Sequence, residues 1–268
     1  MHALSTLLKR ASLAAVILLS ACASAPLQPV AHTAAHPALE YRRYAPWPDS
    51  LVHVLRVDLR HPGLRIALTP EAQRGRIVSD FAGHAEALAV VNASFFNAQF
   101  APRGWTRSEG GDWPDASGVH DWAVFACSGP VSCEVALPPV QAAPAWRTVV
   151  AGIPALLHQG QDVSEQGCAS RRKFCSDTHP RTAIGLADGG KTLLLVVAEG
   201  RQPPVLGMTI PQLVQLMRTL GATEALNLDG GGSSTLSVQG QQRMGRPNNE
   251  PQLRKVANAL MVLGGAAP

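Results

Sequence analysis

Aromatic residues and charge are both scarce in this chain. It has six Phe, five Trp and two Tyr in 268 residues, and only 16% of its residues are charged. The formal net charge is +4, with Lys9 and Arg10 in the amino-terminal segment, and no basic stripe is interleaved with aromatics. Binding to nucleic acid or to an acidic surface is therefore not expected. No G-x-x-x-x-G-K-[ST] frame is present, which excludes a phosphate-binding P-loop, and no G-x-S-x-G elbow, which argues against a serine hydrolase. There is no C-x-x-C pair and no carboxylate–histidine cluster at ligand spacing, so neither a metal nor another cofactor is expected. No internal repeat is visible. What the chain has in quantity is glycine and proline, 24 and 21 residues, which favour many turns and short strands over long helices.

The amino terminus has the layout of an export signal. Lys9 and Arg10 precede a short apolar run from Ala11 to Leu19, too short to span a bilayer comfortably, and small residues follow. "LSAC" has the form of a bacterial lipobox, with Cys22 as the lipidated residue; the alternative is a conventional signal cut within "ACASA". The expected organisation is a lipoprotein signal over 1–21, a lipid anchor and flexible linker over 22–46, and one folded domain over 47–268. Residues 23–46 are rich in Ala and Pro and lack apolar periodicity, as a tether would. Ala23 is not an acidic retention residue, so in a host with two membranes the expected location is the outer membrane, facing the periplasm. Export also suits the remaining cysteines. Cys127 and Cys133 bracket "SGPVS", and Cys168 and Cys175 bracket "ASRRKF". Four cysteines allow three pairings; the local pairing of each loop is favoured.

The folded part reads as a single strand-rich α+β domain with a mixed sheet and a few helices. Strands are expected at 51–59, 64–68, 89–97, 181–187, 191–200 and 256–264, and as a hairpin joining "WAVFAC" to "CEVAL". Residues 77–88 place Ile77, Phe81, His84 and Leu88 at helical spacing. "MTIPQLVQLMRTLGA" (208–222) is the best helix, with Thr209 to cap it, Pro211 in its first turn and Gly221 at its stop. The irregular stretch 98–121 suggests a lid or binding loop, where Trp105 and Trp113 could stack on a sugar ring.

The most pointed feature is "ALNLDGGGSSTLSV" (225–238). Three consecutive glycines are costly to order, yet they follow Asp229 at the end of a strand. One reading is a flexible hairpin with an acidic turn residue. The other is a ligand site: glycine lets a ligand lie against the backbone, successive N–H groups can cradle an anion, and Ser233 and Ser234 add hydroxyls.

"VNASFFN", "HPRTAIGL", "VVAEGRQ", the run from Gly207 to Leu236 and "VANALMVL" occur in that order. Together they resemble the phosphodiester glycosidase family, whose animal member uncovers the mannose 6-phosphate sorting signal. The likeness covers roughly residues 85–264. The chain departs from the family pattern in having Glu199 where "DGR" is usual, and Ala93-Ser94 where a glycine pair is usual.

The resemblance implies hydrolysis of a glycosyl phosphodiester at its anomeric carbon, with N-acetylglucosamine one possible sugar and an envelope polysaccharide another possible substrate. An oxocarbenium-like transition state wants carboxylates, and a phosphate leaving group needs little protonation. Asp229 is the expected catalytic carboxylate and Glu199 the second, with Arg181 as phosphate clamp and Arg201 its helper. Gly230, Gly231, Gly232 and Ser233 would line the sugar phosphate, and Asn92 and Asn227 would meet sugar hydroxyls. His179, before a proline, is left outside the catalytic set. The alternative is an envelope lipoprotein that binds glycan or exopolysaccharide without cleaving it.

Overall fold

The computed structural model describes residues 27–118, 120–244 and 250–265. The signal segment and Cys22 lie outside the described residues. Eight antiparallel strands make the main sheet, ordered in space Pro29–His36, Leu39–Tyr44, Val52–Asp58, Thr192–Ala198, Arg181–Ala187, Ala222–Asn227, Ala155–His158 and Gln161–Asp162. The central strands Thr192–Ala198 and Arg181–Ala187 are mostly apolar because both faces are covered. Leu194, Val196, Ala183 and Val54 meet the helix Ile210–Thr219 through Ile210, Leu213, Val214 and Met217. Leu193, Leu195, Val197 and Ile184 pack on the other side against Val91, Leu236, Leu260, Phe125 and Val150. Those partners come from two five-stranded antiparallel sheets, one containing Ala87–Asn92 and Ala259–Gly264, the other Ala123–Ser128 and Trp146–Gly152. The result is one α+β domain with the helix on one side of the large sheet and two smaller sheets on the other.

Local chemistry explains the helix. The Gln212 N–H donates to the Thr209 hydroxyl at 3.2 Å, and the Gln212 side chain accepts from the Thr209 N–H at 2.9 Å, a reciprocal cap. The helix sits close to the sheet because residue 185 is glycine; a Cβ there would lie 2.5 Å from the Met217 methyl. Both disulfides join the locally spaced cysteines, Cys127–Cys133 and Cys168–Cys175. By the loop-entropy argument, closures this short contribute about 2–3 kcal/mol each at best. The first bridges directly opposed residues of the hairpin formed by Ala123–Ser128 and Ser132–Ala136.

Four expectations change. The sheet expected to be mixed pairs its strands antiparallel throughout. The segment expected to be a tether instead contributes the edge strand Pro29–His36 and its neighbour Leu39–Tyr44. Its alternation hides in a run rich in Ala and Pro, but Leu39, Tyr41 and Tyr44 are buried. The helical spacing at 77–88 yields only one short helix, Val78–Ala82, before the chain turns into the strand Ala87–Asn92. The stretch 98–121 carries the short strands Thr106–Ser108 and Gly111–Asp112, and it buries Trp105 and Trp113. Their indole N–H groups donate to Asp112 at 2.7 Å and Ser108 at 2.9 Å, so both serve the fold and neither is an open stacking surface.

Candidate active site

Strand register brings five of the expected residues, Arg181, Arg201, Asp229, Gly230 and Gly231, to one end of the large sheet. Arg181 lies opposite Ala198, and Ala183 opposite Asn227, so residues 199–201 and 228–231 emerge on either side of Arg181. There a cavity of about 170 Å³ is lined by Phe95, Phe174, His179, Arg181, Arg201, Asp229, Gly230, Gly231 and Arg254, among others.

Asp229 is the one carboxylate lining this cavity, and it keeps partial exposure there. Its backbone is held firmly: its N–H donates to the Ala93 carbonyl at 3.0 Å, and its carbonyl accepts from the Asn92 amide at 2.6 Å. Burial raises its carboxyl pKa to about 6; the Ser233 side chain, the Gly230 N–H and Arg254 oppose that rise. The Ser233 hydroxyl is buried and has no geometrically sound hydrogen-bond partner among the described residues.

The three glycines now have separate reasons. A Cβ on Gly230 would lie 2.7 Å from the Pro180 carbonyl oxygen, and one on Gly231, where φ is +61°, would press on the Arg201 guanidinium at 3.2 Å. A side chain at 232 would collide with Glu250 and Arg254, which pair with each other. Glycine is required because backbone and arginines converge on this loop from three sides. The loop is not an open anion cradle, however. Gly231 N–H donates to Pro180 at 2.8 Å, and Ser233 N–H to Gly230 at 3.2 Å. Cationic side chains supply the attraction for an anion instead.

Those cations are not equivalent. Arg181 is buried, with its Nε donating to the Met208 carbonyl at 2.9 Å and its Nη2 to Phe174 at 2.6 Å and Asp177 at 3.0 Å. Its guanidinium lies 4.5 Å from the Phe174 ring centroid, and burial together with Arg201 lowers its pKa to about 10, still charged at neutral pH. Only Nη1 remains to face a ligand, so the expected two-pronged clamp is largely spent on the fold. Arg201 is the freer group. It follows Gly200 with φ +56°, a strained conformation for a residue with a side chain, and no side-chain partner holds it among the described residues.

Several expectations are corrected here. Glu199 does not line the cavity. Alternation along the strand sends it to the face opposite Arg181, where its Oε1 lies 2.7 Å from His53 Nε2, and His53 Nδ1 lies 2.7 Å from the Tyr41 hydroxyl. Asn92 is fully buried; its side chain bonds the Asp229 carbonyl, the Thr182 hydroxyl at 2.8 Å and the Thr235 N–H at 3.1 Å, so it positions the loop and meets no sugar. Asn227 is likewise buried, donating to Ile153 at 2.7 Å. Gly232 and Ser233 stand behind the lining. Conversely, His179 and Arg254 do line it. The His179 pKa is lowered by burial and by Arg181 and Arg201, against the pull of Asp177, so the ring is neutral near pH 7. Its place beside Arg181 in "HPRTAIGL" was the available signal; Arg254, in an irregular carboxy-terminal stretch, offered none.

The site is therefore a small cationic cavity with one partly protonated carboxylate and a neutral imidazole. Such a cavity attracts a mono-anion and offers a carboxylate to positive charge developing beside it. The disulfides add that the domain suits an oxidising, extracytoplasmic compartment.

No curated sequence matches the chain. Its fold is shared with the catalytic domain of zebrafish N-acetylglucosamine-1-phosphodiester alpha-N-acetylglucosaminidase, a structure auto-inhibited by its pro-peptide. That match has TM-score 0.70 and 19% identity and covers 90% of this chain and 88% of the other. A hypothetical protein from Synechocystis matches with TM-score 0.64 and 17% identity over 85% of this chain and 62% of its own. A Burkholderia pseudomallei protein classed as exported matches with TM-score 0.63 and 19% identity over 80% and 74%. The phosphodiester glycosidase family model matches residues 85–263, and the chain belongs to that family.

Proposed function

We propose that the protein hydrolyses a glycosyl phosphodiester at the anomeric carbon, with Asp229 as the catalytic carboxylate. The observation that carries this reading is a cavity in which, among the described residues, Asp229 is the one carboxylate and Arg181, Arg201 and Arg254 are the cations. The glycosidic C–O bond breaks with its electron pair going to the phosphate oxygen, and a phosphate monoester departs. Water supplies the oxygen that ends on the sugar carbon and loses one proton. Asp229 stabilises the oxocarbenium-like centre or bonds to it transiently. Arg201, Arg254 and the free Nη1 of Arg181 hold the phosphate, which is a good leaving group without strong acid assistance. Neutral His179, which also lines the cavity, would take the proton from water. A second carboxylate at the reacting bond is not part of the proposal, since Glu199 is committed to His53.

N-acetylglucosamine is the sugar we favour, by likeness to the zebrafish enzyme. The site of action is the cell envelope, with Cys22 as lipid anchor and the domain facing the periplasm. Incubating the soluble domain with UDP-N-acetylglucosamine or an aryl phosphodiester of N-acetylglucosamine should release free sugar, and Asp229→Asn should abolish the release. Saturable binding of these compounds with no sugar released would replace this reading with that of a non-catalytic glycan-binding lipoprotein.

A further inference from the structure

The reaction cavity is small. At about 170 Å³ it falls below the ~300–1,000 Å³ of ordinary small-molecule sites, so it has room for the reacting phosphate and its immediate surroundings but little else. A second cavity of about 300 Å³ lies nearby, with Asp121, Trp122, Pro138, Ile153, Gln166 and Arg171 in its wall.

Two features join the cavities. The first is a row of rings: Trp122 meets Phe95 with centroids 5.5 Å apart, and Phe95 meets Phe174 at 6.4 Å. Trp122 belongs to the second cavity, and Phe95 and Phe174 to the first. The second is the segment stapled by Cys168–Cys175, which places Gln166 and Arg171 at one cavity and Phe174 at the other. The same segment offers the Phe174 and Asp177 carbonyls that hold Arg181. One rigid piece of chain thus sets the spacing between the two.

Their chemistry differs. The first cavity carries three arginines and suits an anion. The second has one acid and one base in its wall, with an amide beside them, against the apolar faces of Pro138, Ile153 and a half-buried tryptophan. Polar groups of both hydrogen-bonding senses beside an apolar wall match a neutral sugar, whose hydroxyls need donors and acceptors while its C–H face and any acetamido methyl need apolar contact. A second phosphate would face Asp121 there, and a purely apolar ligand would bury the Gln166 amide without a partner.

We propose that this second cavity is a saccharide subsite for a neutral, N-acetylated sugar unit beyond the bond being cleaved. The protein therefore takes oligosaccharide-bearing phosphodiesters in preference to single-sugar ones. The preference for such substrates rests on the proposed hydrolysis; the subsite itself does not, and it is tested by binding alone.

The probe is chitobiose, the neutral N-acetylglucosamine disaccharide, titrated at millimolar concentration into the soluble domain with amide chemical shifts as readout. Shifts are expected at residues 121–122 and 166–171. Gln166→Trp, an exposed position where a bulky ring would fill the cavity, should weaken binding about tenfold or more, and Arg171→Ala several-fold. Asp229→Asn should leave chitobiose binding within about twofold. No binding to the wild type, unchanged binding in both Gln166→Trp and Arg171→Ala, or a loss confined to Asp229→Asn would overturn the subsite. If the subsite stands and the enzyme is active, kcat/KM for a chitobiosyl phosphodiester relative to UDP-N-acetylglucosamine should fall at least about tenfold in Gln166→Trp. An unchanged ratio would refute the substrate preference while leaving the binding site in place.

Discussion

Asp229 and Glu199 leave the ends of the two strands that flank Arg181–Ala187 in one sheet, yet their surroundings are opposite. Glu199 turns into the space between the sheets and meets His53, which meets Tyr41, at 2.7 Å for each contact. That chain is satisfied when the Tyr41 hydroxyl donates to Nδ1 and Nε2–H donates to the carboxylate. Asp229 turns into a cavity where burial raises its pKa to about 6 and the arginines around it leave it short of a committed ion-pair partner. A carboxylate locked in a buried pair specifies structure. One left incompletely satisfied at a cavity surface is poised for chemistry. Residue type alone could not separate the two roles.

The largest expected effect follows from that contrast. Asp229→Asn keeps the shape but removes the charge aimed at the reacting centre, and it should lower turnover on the order of 10²–10³ with the fold intact. Glu199→Gln keeps an oxygen that can accept from His53 and should retain activity within about tenfold. Steady-state kinetics on one phosphodiester decides between them. Equal losses in the two variants would erase the distinction.

The same carboxylate makes a stability prediction of opposite sign. Its folded pKa, about 6, lies above the ordinary aspartate value of 3.8, so the fold favours the protonated form. The stability linked to that proton is fully present below pH 3.8 and is lost as pH rises through about 6. The shift corresponds to about 3 kcal/mol as a ceiling. Asp229→Asn is free of this cost. It should raise Tm relative to wild type above pH 6 and leave it unchanged near pH 4, as measured by thermal unfolding across that range. Activity of the wild type should rise with pH through the same region as the carboxylate ionises. A variant less stable than wild type at pH 8 would mean that the Asp229 charge is well compensated after all.

The arginines extend the comparison. Arg181 serves three carbonyls, so Arg181→Met should destabilise the fold by about 2–3 kcal/mol, seen as a lower denaturant midpoint, because those acceptors lose their donors. Arg201 holds nothing else among the described residues. Arg201→Lys should raise KM about tenfold with little change in stability, because a point charge replaces a planar fork. If stability falls in Arg201→Lys and not in Arg181→Met, their division of labour is reversed.

Much of this was legible in the sequence, and the failures share a cause. The central strands, the capped helix and both disulfides follow from local pattern: "TLLLVVA" can only be a strand covered on both faces, and Thr209 caps through a residue three positions on. The convergence of Arg181, Arg201 and Asp229 was visible through ordered motifs. What could not be read was orientation. "AEGRQ" does not say on which face Glu199 emerges, because that depends on the pairing of Ala198 with Arg181. Asn92 and Asn227 stand beside the right residues in sequence, but whether an amide faces a ligand or braces a backbone depends on long-range neighbours such as Thr182 and Ile153. The strands at 29–44 escaped notice because the Ala- and Pro-rich run disguises their alternation, and the burial of Leu39, Tyr41 and Tyr44 comes with the pairing to Val52–Asp58.

Tyr41 offers the smallest test, and it bears directly on that last point. It comes from the segment expected to be a tether, yet its hydroxyl closes the chain to His53 and Glu199 and its ring lies 5.1 Å below the Arg243 guanidinium. Tyr41→Phe keeps the ring and removes one buried hydrogen bond, leaving His53 Nδ1 without a donor. The expected cost is about 1–2 kcal/mol, read as a shift of the denaturant midpoint at constant slope. Because Glu199 keeps its own bond to His53 and lies outside the reaction cavity, kcat/KM should stay within about threefold of wild type. A loss of turnover comparable to that of Asp229→Asn, without a matching loss of stability, would show that the buried chain acts on the reaction, and Glu199 would then be more than a brace.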